Sequence, residues 1–191
     1  MQEIVNELEE IGTKARQTFG RLSPTQLNWK SSAEAWSVGQ CFEHLIKINA
    51  AFFPQIESII KGEKKLKFWE RYSPFSEFFG NLLFKSVSPE AKRKLKAPKA
   101  ATPTASLVSA SIIVDFVNHQ AELIDRVRQT ESLNPKSIII TSPFIKAITY
   151  SLFDAYRIIV THEKRHFEQA VRVAHEAAFP PSECLSSTRQ F

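Results

Sequence analysis

The segment Tyr156-Arg-Ile-Ile-Val-Thr-His162-Glu-Lys-Arg-His166-Phe-Glu-Gln-Ala170 carries two histidines four residues apart. On an α-helix this spacing stacks both imidazoles on one face, one turn apart. The apolar residues around them, Ile148, Leu152, Ala155, Ile159, Ala170 and Val173, recur in steps of three and four, with a gap after Ile159. His162 and His166 fill that gap, so they occupy positions where a core-facing helix carries Leu or Ile. An imidazole buried without a partner costs about 1–3 kcal/mol. A pair in this place calls for something to satisfy it, and one ion gripped by both rings is the simplest candidate.

Working outward, the rest of the chain is also helical in pattern. The 191 residues suit a single domain spanning 1–191, and 15 Phe supply a filled core. With only 5 Gly and no recurrent alternation of β-branched residues, an all-α fold is expected over a sandwich or barrel. Two cysteines, Cys41 and Cys184, are too few for a disulfide framework. The acidic start has no signal-type apolar region, and no apolar run approaches the ~20 residues of a membrane span. A cytoplasmic protein with no membrane partner is expected.

Ile4, Val5, Leu8, Ile11, Ala15 and Phe19 mark a first helix over residues 2–20. Ser23-Pro24 reads as a cap and first helical position of one short turn. The second long helix starts at Ser37, where Ser37-Val-Gly-Gln40 is a capping box, and runs to about Lys61. Its stripe is Val38, Cys41, Phe42, Leu45, Ile48, Phe52, Ile56 and Ile59, with His44 at the edge and Pro54 expected to bend or break it. Residues 62–103 read as a long crossover carrying short helices, rich in Phe, Trp and Lys. Between Lys61 and Ala100 there are 11 Lys/Arg against 4 Asp/Glu, so the net +5 charge is concentrated there. Such a patch could attract an anion, while the plainer reading is a solvated connection, and no nucleic-acid partner is expected. A third helix is expected over Thr104–Thr130, with one stripe through Leu107, Val114 and Ile124 and another through Ile112, Phe116, His119 and Leu123. A Ser142-Pro143 cap is expected to open the fourth helix, which ends near Phe179, and 181–191 reads as a frayed tail. Four long helices and one long connection make a four-helix bundle.

If helices two and four are neighbours, His44 faces His162 and His166 across the core. Three neutral imidazoles suit a borderline divalent ion, zinc or nickel, and leave positions open for water or substrate. His162-Glu-Lys-Arg-His166 lacks the remaining metalloprotease context, and Glu163 does not share the face of the pair. His119 and His175 read as structural or exposed.

Trp36-Ser-Val-Gly-Gln-Cys-Phe-Glu-His-Leu45, with His162-Glu-Lys-Arg-His-Phe-Glu-Gln169 far downstream, resembles the DinB-like family of bacterial four-helix-bundle metalloproteins. The Lys-Ala-Pro-Lys99 and Thr-Pro103 stretch is similar to a subgroup of it, and the likeness runs from about Trp36 to Val173. The resemblance implies an up-down-down-up bundle with the long crossover between helices two and three. It also implies a metal triad of His44, His162 and His166, and frequent homodimers. Characterised relatives include mycothiol- and bacillithiol-transferase-like enzymes, in which the metal is thought to activate a low-molecular-weight thiol against a small-molecule substrate. A thiol S-transferase or a metal-dependent hydrolase is therefore expected, with no particular residue marked as catalytic or thiol-binding. The alternative is a non-catalytic metal- or ligand-binding module related to stress.

Overall fold

The computed structural model describes residues 1–64, 84, 102–103 and 107–181. Four long helices dominate it: α1 (Gln2–Phe19), α3 (Val38–Ala50), α5 (Ile112–Gln129) and α6 (Leu152–Ala174). Two short ones, α2 (Pro24–Asn28) and α4 (Phe53–Ile60), flank α3, and a hairpin of β1 (Ile139–Thr141) and β2 (Thr149–Ser151) precedes α6.

The start signals act where the sequence places them. At α2 and α3 the hydroxyls of Ser23 and Ser37 accept the backbone N–H of Gln26 and Gln40, and each Gln side chain accepts its Ser N–H in return. The first turn of α3 lies so close to α2 that a Cβ on Gly39 would sit 2.9 Å from the Leu27 carbonyl oxygen. Only a residue without a side chain fits that contact.

α1 packs on α5 and α6, and α3 packs on the same two, so α1 and α3 lie on one diagonal of the bundle and α5 and α6 on the other. Gly12 meets Gln120, and Glu9 on the preceding turn binds Arg128, so α1 and α5 run antiparallel. The fold is a four-helix bundle of up-down-down-up sense. Phe19, Phe42 and Phe116 are buried between the helices, with successive ring centroids 5.3 and 4.9 Å apart. Among the described residues no helix is long and apolar enough to cross a membrane.

Several expected boundaries move. The helix expected over 37–61 is two, because the ladder stops at Ala50 and restarts at Phe53, with Pro54 in the first turn of α4. Proline has no N–H for the i−4 carbonyl, so the first turn of a new helix is where it costs least. The third helix starts at Ile112, not Thr104. Val108 is held in line with α2 by Asn28, whose side chain accepts the Val108 N–H at 2.7 Å and donates to its carbonyl at 3.1 Å. Of its two stripes, Ile112, Phe116, His119 and Leu123 are buried, while of the other Ile124 is buried and Leu107 and Val114 face solvent.

The largest correction concerns Ser142-Pro143, which opens no helix. The Ser142 hydroxyl accepts the N–H groups of Phe144 and Ile145, and its own N–H bonds the Ile148 carbonyl, closing a hairpin. Strand pairing sets Ile140 opposite Tyr150. Ile148 therefore belongs to the hairpin rather than to the helical stripe. Ser151 is the true cap of α6, accepting from the Asp154 N–H at 3.0 Å. α6 ends at Ala174, five residues short of Phe179, whose ring packs edge-on against Trp29. The expected short helices of 62–103 and the tail beyond 181 lie almost wholly outside the described residues. Phe84, which is described, lies with its ring 4.4 Å below the Arg157 guanidinium.

Candidate metal centre

The capping box at Ser37 sets the phase of α3, and two turns later His44 points inward, 2% exposed. α6 runs beside α3 and carries His162 and His166 one turn apart on the facing side. The three side chains meet. One ring nitrogen from each can be chosen so that all lie within 4.8 Å of one another. Nε2 of His44 and Nε2 of His162 are 3.4 Å apart.

That separation is long for a hydrogen bond, which for nitrogen donors falls at about 2.7–3.2 Å. It is the edge expected of a tetrahedral site, since bonds of about 2.0–2.1 Å to one zinc ion put two nitrogens about 3.4 Å apart. Nδ1 of His162 and Nδ1 of His166 are also buried with no hydrogen-bond partner. It is the convergence of one nitrogen from each of the three rings that fits a divalent ion.

The model of the DinB superfamily matches residues 7–170. The chain belongs to the DinB superfamily. Among solved structures it is similar to YfiT from Bacillus subtilis, described as a probable metal-dependent hydrolase with an unusual four-helix bundle topology. That likeness has a TM-score of 0.56 at 15% identity, over 91% of this chain and 85% of the other, and shows the shared fold. No curated protein matches the chain.

The electrostatics of this DinB-superfamily bundle favour the uncharged form of His162 and His166. Burial, then the neighbouring His166 and His44, hold His162 well below the usual imidazole range. Burial, then His44 and the cation of Arg165, push His166 down to about 3, against a smaller opposing effect of Gln169. Neutral imidazole is the ligating form, so no proton has to leave before an ion is held.

Trp36 forms one wall of the site. Its ring lies 4.8 Å from that of His44 and stacks on His166 at 5.4 Å and 17°. It immediately precedes the Ser37 cap, so the device that starts α3 also places the indole. The sequence marks Trp36 as part of the motif but not as a wall.

Glu163 points away from the triad side, as expected, into the bundle centre. It is fully buried, accepting from Asn49 Nδ2 at 2.6 Å and from Gln120 Nε2 at 2.8 Å. Burial raises its carboxyl to about 8 despite those two bonds. This network was missed in the sequence, although a signal existed. Asn49 falls four residues after Leu45, Gln120 four after Phe116, and Glu163 four after Ile159, each a polar residue on an apolar stripe.

The other described histidines stay apart. His119 is buried and stacks on Phe53 at 4.8 Å, while His175 is exposed, with Nδ1 2.8 Å from the Val171 carbonyl oxygen.

Proposed function

We propose that this chain is a divalent-metal-dependent enzyme in which His44, His162 and His166 hold zinc or nickel. The observation that carries the reading is the convergence of three imidazoles from two helices, His44 and His166 buried and His162 half-buried, with no carboxylate among them. That donor set suits a borderline ion rather than magnesium or calcium. Three protein ligands leave room at the ion for a reacting group. When bound, the ion supplies Lewis acidity and lowers the pKa of water or of a thiol.

The protein's own part is to hold His162 and His166 in the unprotonated form and to wall the site with Trp36. The substrate class is a small electrophile. Its acceptor is water in a hydrolase, or a low-molecular-weight thiol in an S-transferase, as in the relatives that the motifs resemble. A cytoplasmic homodimer completes the proposal.

The test is turnover of small activated esters, amides and alkylating electrophiles by metal-loaded protein, with and without bacillithiol or mycothiol. Activity that disappears with a chelator and with His162→Ala, and returns on adding zinc or nickel to wild type, supports the reading. A thiol conjugate identifies the transferase and a hydrolysis product the hydrolase. Stoichiometric metal without turnover of any of these substrates would replace it with a non-catalytic binding module.

A further inference from the structure

We infer that Glu163 is a positioning residue, clamped by Asn49 and Gln120, that sets the relative placement of α3 and α6 and so the shape of the histidine site. The inference rests on the metal triad proposed above. It begins with a cluster that the triad does not use. Glu163 follows His162 directly on α6, and Asn49 lies five residues after His44 on α3. Their side chains meet at 2.6 Å with Glu163 fully buried. On its other oxygen Glu163 accepts from Gln120 of α5, whose amide also lies 3.3 Å from the Leu8 carbonyl oxygen of α1. One polar layer beside the triad thus touches all four long helices.

Its geometry restrains what apolar packing leaves loose. Slipping α6 by one residue along α3 shifts it about 1.5 Å and turns each side chain by about 100°. A metal constellation tolerates errors of only about 0.5 Å. Apolar side chains can repack across such a shift, whereas short directional hydrogen bonds from two helices to one carboxyl cannot. Stability is a poor explanation for the layer, because hydrogen-bonded partners replaced together by apolar groups of the same shape can leave stability nearly unchanged. Asn49 Oδ1 and Gln120 Oε1 are moreover left buried without partners. That cost suits a layer kept for placement.

The test compares cobalt(II) binding, by chelator competition and visible absorption, with thermal stability measured in chelator. The apolar triple variant Asn49→Leu/Gln120→Met/Glu163→Met should keep its metal-free melting temperature. Its cobalt affinity should fall by about 10–100-fold, the usual effect of losing groups that orient ligands, and its ligand-field bands should change. Glu163→Gln should preserve affinity and spectrum, because a flipped Asn49 or Gln120 amide can present its unpartnered oxygen to the new N–H. A folded triple variant with wild-type affinity and spectrum overturns the inference. Should the triple variant not fold, Asn49→Leu decides in the same way, since it removes the tie between α3 and α6 alone. Wild type that takes up no cobalt overturns the triad itself, and this inference with it.

Discussion

At His162 and His166, charge state and burial make a pH signature in the metal-free protein. Both have folded pKa values below their unfolded ones, as does the buried His119. Stability from these groups is complete above about pH 6.5 and is lost as pH falls toward their folded values. Glu163 acts in the opposite sense. Its carboxyl, raised to about 8, contributes stability in full below about pH 4.5 and loses it as pH rises through 8. Thermal melts in chelator should therefore be steeper with pH between 4.5 and 6.5 in Glu163→Gln than in wild type, because one opposing contribution is gone. Equal slopes would show that Glu163 does not titrate as described. The histidines themselves were legible because they interrupt an apolar stripe. Glu163 escaped because its partners lie on two other helices, and a pairing across 114 and 43 residues leaves no local pattern.

At the scale of elements, capping chemistry was the most readable signal and also the one that misled. Ser23 and Ser37 cap as read because Gln lies three residues on and apolar periodicity resumes at once. Ser142-Pro143 has a cap's form, but it leads into Thr149-Tyr-Ser151, whose β-branched and aromatic residues pair with Ile139-Ile-Thr141 instead. A helical reading of that stretch fails because the strand partner is supplied from just upstream. The Ser37 cap bears directly on the site, since it starts the helix that carries His44 and holds Trp36 against two of the three rings. Ser37→Ala should cost about 0.5–2 kcal/mol in denaturant unfolding. It should also weaken metal binding through the frayed first turn. A stability loss with unchanged metal affinity would separate the cap from the site.

The whole molecule explains why residues more than a hundred positions apart form one constellation. Because α1 and α3 each pack between α5 and α6, the second and fourth long helices are neighbours, and His44 meets a pair 118 and 122 residues away in sequence. Four amphipathic helices were readable from periodicity, but periodicity says nothing about which faces meet. The arrangement was reached through motif resemblance, which the match over residues 7–170 supports. Metal content measured by elemental analysis, on wild type and His44→Ala purified alike and reloaded with zinc or nickel, tests the central claim most directly. The account predicts about one ion per chain in wild type and none retained by the variant. Equal metal in both proteins, or none in wild type after reloading, would contradict it and leave the three histidines as a polar patch in the core.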